Sequence, residues 1–160
     1  MRHLITALTL TLIASCGWHL RGVTPLPEGY RIVHLSGYEN TDLHQTLAGQ
    51  LRFNGAVVTS SAGDAPVLIV LSEYDVEKRT LSVNSLGQVS EYELNGYLTA
   101  DIERQLDGQK HQITVHARRT LQNDVNNVVA TQQEEQALRA DLDSDLRTRL
   151  LRRLQKLEQP

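Results

Sequence analysis

Cys16 is the one thiol in a chain of 160 residues, and it stands in the stretch LIASCGWHLRG, directly after an apolar run and two positions before the one tryptophan, Trp18. A lone thiol cannot close an internal disulfide. It is either a small buried hydrophobe or a target for covalent modification. The other groups with chemistry to offer are two basic pairs, Lys78-Arg79 and Arg118-Arg119. Guanidinium forks suit phosphate oxygens, so these four, brought together across a sheet, would make an anion site. They can equally pair with Glu77, Glu91 or Glu93 as cross-strand ion pairs, and this second reading takes slight precedence. The histidines beyond the N-terminal run (His19, His34, His44, His111 and His116) are scattered. His111 and His116 are an odd number of residues apart, so in a strand they point to opposite faces. No metal site is expected from that pattern. No nucleophile elbow, phosphate loop, zinc-helix or dinucleotide motif is present either, so no catalytic residue is expected.

The residues before Cys16 decide what its thiol is for. Arg2 and His3 make a short basic start, and residues 4–14 are an apolar run of Leu, Ile, Ala and Thr. This is the pattern of a signal peptide. It is shorter than the roughly 20 apolar residues that a permanent spanning helix needs. Ala14 and Ser15 are small and immediately precede Cys16, which resembles the bacterial lipobox. That resemblance implies removal of residues 1–15, a diacylglycerol on the Cys16 thiol and acylation of the new amine. At about 0.8 kcal/mol per buried CH₂, one chain anchors marginally and three anchor essentially permanently. Lipoproteins kept at the inner membrane usually carry Asp after the Cys; Gly17 here points to the outer membrane. Trp18 could lie at the lipid-water boundary or anchor into a partner, and both remain open.

The elements that must position these groups follow from composition and period. With 40% hydrophobic, 22% charged and 4% aromatic residues the chain is globular with an aliphatic core. A net charge of −3 and a pI of about 6.0 argue against a nucleic-acid partner held by an overall positive field. Residues 16–29, with Pro25, Pro27 and Gly17, Gly22 and Gly29, read as a lipidated tether. A single domain over residues 30–157 follows, with 158–160 as the remnant of a disordered tail.

Within the domain, residues 30–36 predict a strand, and 40–55 a helix with Leu43, Leu47 and Leu51 on one face, capped by Asn40 or Thr41. Strands are predicted over 66–83, 89–103 and 111–121 as a meander, the last two joined through the hairpin dipeptide Asp107-Gly108. Along 89–103, Tyr92, Leu94, Leu98, Ala100 and Ile102 alternate with Glu91, Glu93, Asn95, Thr99, Asp101 and Glu103, so one sheet face is wet or meets a polar partner. Leu138, Leu142, Leu146, Leu150, Leu154 and Leu157 stripe a long closing helix, acidic in its earlier half and basic in its later half. That basic end could meet anionic head groups, although a solvated face is the preferred reading. The expected fold class is α+β, a two-layer sandwich with a four-stranded sheet and two helices packed on one face, in the order βαβββα.

CGWHLRG at 16–22, QLRFNG at 50–55, GQVSEYEL at 87–94 and the long closing helix together resemble the LptE family of lipopolysaccharide-assembly lipoproteins over nearly all of the chain after Cys16. The resemblance implies a non-catalytic outer-membrane lipoprotein, anchored on the periplasmic side. Its domain would plug, and help assemble, the LptD β-barrel that inserts lipopolysaccharide into the outer leaflet. A polar sheet face suits such a barrel's polar interior. It also implies no cofactor beyond the lipid on Cys16, and LptD, lipopolysaccharide and the membrane as partners. Members can carry a basic residue in the turn between the second and third strands of the predicted order; this chain has VNSLGQ at 83–88, which leaves Lys78, Arg79, Arg118 and Arg119 as the candidate lipopolysaccharide contacts. A second function class is a regulatory lipoprotein that activates a cell-wall synthase. It would need a long tether after Cys16, and residues 17–29 supply a short one. A lipid-anchored hydrolase would need the nucleophile constellation that is missing.

Overall fold

Strict alternation over a long span makes the sheet's centre. The computed structural model describes residues 26–157. In it β3 (Val67–Val83), β4 (Val89–Arg104) and β5 (Gln109–Gln122) form the expected antiparallel meander. Ahead of them come β1 (Ile32–Ser36), α1 (Asp42–Phe53) and β2 (Val57–Thr59), and behind them α2 (Val128–Leu154). The sheet has five strands, not the expected four, in the order β2-β1-β3-β4-β5. It is mixed, because β1 runs parallel to both β2 and β3. The additional strand is three residues long, too short for a period of two to show. The element order is therefore βαββββα.

Each element has a local cause. The Thr41 hydroxyl accepts the His44 N–H to cap α1, and Leu43, Leu47, Ala48 and Leu51 form its buried stripe. Gly37 closes β1 at φ +86°, and a Cβ there would lie 2.3 Å from the Leu71 carbonyl oxygen, just where β3 bulges against β4. The β4–β5 connection takes four residues, 105–108, since Arg104 pairs with Gln109. An ion pair from the Arg104 guanidinium to Asp107, at 2.6 Å, holds that wider loop, which the Asp107-Gly108 dipeptide does not show by itself. The chain joins the body earlier than Tyr30: Leu26 is buried, and its N–H donates to the Asn54 carbonyl at 3.4 Å.

Both helices pack on one face of the sheet, as expected. Val33, Leu35, Val67, Ile69, Leu71, Leu94, Leu98 and Ile102 from the strands form one core with the α1 leucines and with Leu142, Leu146, Leu150 and Leu154 of α2. Among the described residues nothing covers the opposite face. α2 lies unusually close to β4. A Cβ on Gly96 would stand 2.2 Å from a Leu142 methyl and 3.1 Å from a Leu146 methyl. Arg147 is buried at this helix layer, 3.9 Å from Asp42 of α1, and is not on the solvated face that its charge suggests.

Two substitutions test this packing by urea denaturation. Leu146→Ala is expected to cost about 2–5 kcal/mol through lost burial and a residual cavity. Gly96→Val is expected to cost about 1–3 kcal/mol by overpacking against Leu142.

Candidate functional site

The strand register sorts the charged side chains before any contact does. On β4 the even positions from Tyr92 to Ile102 face the helices, and the odd ones from Glu91 to Glu103 face away. Pairing carries that parity across. Arg79 and Arg118 stand opposite Glu93 and Asn95 on the open face. Lys78 and Arg119 both stand opposite Leu94 on the helix face.

On the open face the carboxylate of Glu93 is the hub. Arg79 Nε donates to its Oε1 at 2.7 Å, Asn95 Nδ2 to the same oxygen at 2.8 Å, and Arg118 Nε lies 3.2 Å from Oε2. Glu93 is 4% exposed, although it stands on the uncovered side: the long side chains of its neighbours lie over it. Desolvation would raise its pKa, but the hydrogen bonds from Asn95 and Arg79 and the charges of Arg118 and Arg79 outweigh that and lower it. Around the hub the face hydrogen-bonds to itself. Ser82 and Gln122 both donate to Glu91, Gln112 donates to Asp101 at 2.8 Å, and the Thr99 and Thr114 hydroxyls meet at 3.0 Å. Glu91 is likewise lowered, by the bonds from Ser82 and Gln122.

Lys78 and Arg119 are employed elsewhere. Lys78 reaches Glu135 near the start of α2 and lies 4.2 Å above the Tyr92 ring. Arg119 binds Asp141 at 2.6 Å and Asp145 at 3.2 Å. The four candidate anion contacts therefore do not form one site. Adjacent residues on a strand face opposite ways, so each basic pair is split, and the cross-strand ion-pair reading describes Arg79 and Arg118. Cys16, Trp18 and the signal segment lie outside the described residues. His111 and His116 do sit on opposite faces, and among the described residues no group of three or more His, Cys, Asp and Glu is placed to hold a metal ion.

The open face also has an apolar corner that sequence reading missed. Ile32 is 41% exposed, Val57 59% and Val70 40%, and Leu68 joins them in register with β1. The signal was there in part: the continuous run VLIVL at 67–71 is apolar on both faces, which a strand with one wet face does not need.

The model of the family described as "LptE: Lipopolysaccharide-assembly" matches residues 30–154. The chain belongs to the LptE family. A lipopolysaccharide-assembly lipoprotein of this family from Photorhabdus laumondii is 26% identical over 96% of the chain and 87% of the relative. Among solved structures, rare lipoprotein B of Shewanella oneidensis superposes with a TM-score of 0.69 at 22% identity, over 77% of this chain and 92% of that one. A minor lipoprotein of Acinetobacter baumannii gives 0.65 at 26% identity, over 82% and 93%. Among the described residues no helix is long and apolar enough to cross a membrane.

For this LptE domain, the lowered carboxyls of Glu91, Glu93, Asp107, Glu135 and Asp145 fix the sign of a pH dependence. A carboxyl whose folded pKa is depressed adds stability above its unfolded pKa, and that stability is lost as pH falls through the folded value. Stability measured by urea unfolding is expected to be flat from neutral pH down to about 5 and to fall steadily below about 4.5. Glu93→Gln is expected to lower the neutral-pH stability and flatten that fall.

Proposed function

We propose that this LptE-family chain is the lipid-anchored plug and assembly partner of a large outer-membrane β-barrel, LptD, in the insertion of lipopolysaccharide into the outer leaflet. The observation that carries the reading is the open sheet face. Its buried carboxylate, Glu93, is already paired within the molecule by Arg79 and Arg118. The exposed Glu73, Asp75 and Glu77 on the same face suit water, so the face can enter a polar, water-lined barrel interior without stranding a buried charge. A face built for an ordinary protein partner would be poorer in charge at its centre. The exposed corner of Ile32, Val57 and Val70 offers the apolar contact that would fix the domain against the barrel wall. The role is structural rather than catalytic, in keeping with the family's assembly function.

Extraction of outer membranes in mild detergent, with a C-terminal tag on the chain, tests this. One large β-barrel is expected in stoichiometric amount and resistant to high salt, and recovery of the chain alone or with a cell-wall synthase would overturn the reading. Val70→Asp is expected to weaken that recovery while changing the domain's own stability by no more than about 1 kcal/mol, because Val70 is exposed. Cys16→Ala is expected to abolish acylation, read as loss of the lipid mass and release of the chain from the membrane fraction.

A further inference from the structure

Within the described residues, every lysine and arginine forms an ion pair with a carboxylate except Arg52, Arg152, Arg153 and Lys156. These four collect at one end of the molecule. Arg52 lies in the last turn of α1, Arg152 and Arg153 in the last turn of α2, and Lys156 just beyond it. The two helix ends meet at Asn54, whose Oδ1 accepts the Gln155 side-chain N–H at 3.4 Å and whose carbonyl accepts the Leu26 N–H at 3.4 Å. The described chain thus enters the domain where the unpaired cations are. Leu26 follows Cys16 by ten positions, a reach of at most about 35 Å.

The same end carries an open groove of about 800 Å³ between α2 and the edge strand β5. Its rim is Arg149, Arg152, Arg153 and Lys156, its floor includes Ile113 and Val115, and none of the described carboxylates lines it. Only Arg149 is neutralised, by Asp145 at 2.7 Å. The helix C-terminus adds about half a negative charge, too little to offset the cations. Elsewhere among the described residues the positive charges are met by neighbouring carboxylates, so their concentration here calls for an external anion.

We propose that this cationic end is a docking surface for the anionic phospholipid head groups of the leaflet that carries the lipid on Cys16, and that it holds the tether end of the domain against that membrane. The inference rests on the lipid-anchor reading of Cys16. Phospholipid is favoured over other anions because the anchor keeps that surface within reach at high effective concentration. Each Lys or Arg near an anionic leaflet gains roughly a factor of five in residence there.

The test uses the full acylated chain, its lipid confirmed by mass, reconstituted by its own anchor into vesicles of phosphatidylethanolamine with or without about 30% phosphatidylglycerol. Backbone hydrogen exchange over 111–116 and 149–157 is expected to slow about fivefold or more in the anionic vesicles alone. The protection is expected to vanish in 0.5 M salt and in the variant R52Q/R152Q/R153Q/K156Q, whose unchanged circular dichroism reports that it is folded. Equal exchange in the two vesicle types overturns the proposal. So does protection that appears only when lipopolysaccharide replaces phosphatidylglycerol, or only when the barrel is present. A chain without the lipid mass would instead sink the anchor reading, and barrel recovery by the quadruple variant reports separately on the plug.

Discussion

A Leu142 methyl fills the space that a side chain on Gly96 would need, and the rest of the domain is arranged around that close approach. It sets the height of α2 over β4. At that height Leu146, Leu150 and Leu154 continue the same contact along the strands, toward α1 and the end where Leu26 enters. With α2 on this face and α1 beside it, all of the aliphatic surface of the chain's core is spent on one side of the sheet. The other side has to be stable on its own terms, because no remaining described segment is available to cover it.

Those terms are electrostatic. A carboxylate as little exposed as Glu93 is tolerable only with its lone pairs satisfied, and Arg79, Arg118 and Asn95 do this from three strand positions. The pairs Glu91 with Gln122, Asp101 with Gln112 and Thr99 with Thr114 extend the arrangement along β4 and β5. The centre of the face needs neither water nor a partner to complete its bonds, while Glu73, Asp75 and Glu77 on β3 stay exposed. The face can therefore be wet in one setting and meet a water-lined surface in another at little cost. The plug role proposed above needs that property, because such a domain must fold before, or while, a barrel closes around it.

How far the sequence exposed this differs from element to element, for physical reasons. α1, the meander and the leucine stripe of α2 were legible because their periods persist over two or more turns or pleats. The faces of β4 were read residue by residue. β2 was not, since Val57–Thr59 is shorter than the shortest pattern that distinguishes strand from loop, and its parallel pairing with β1 depends on contacts that no local signal encodes. The basic pairs were visible as residues, but adjacency suggested a cluster where parity dictates separation. The burial of Arg147 had no signal at all: its neighbours Arg149, Arg152 and Arg153 are exposed, and only the position of α1 distinguishes it from them.

The charge distribution completes the asymmetry. Along α2 the acidic first half is consumed by cations from the sheet, Lys78 on Glu135 and Arg119 on Asp141 and Asp145, so it serves the fold. The last turn finds no acids within the described domain. A helix with charges arranged only for its own dipole would gain at most about 1 kcal/mol per charge at an exposed end, and one or two cations would be enough for that. Three in the last turn and just past it, with a fourth at the adjoining end of α1 beside the point where Leu26 enters the domain, exceed what folding requires. That excess is the observation on which the proposed docking of this end to anionic head groups rests.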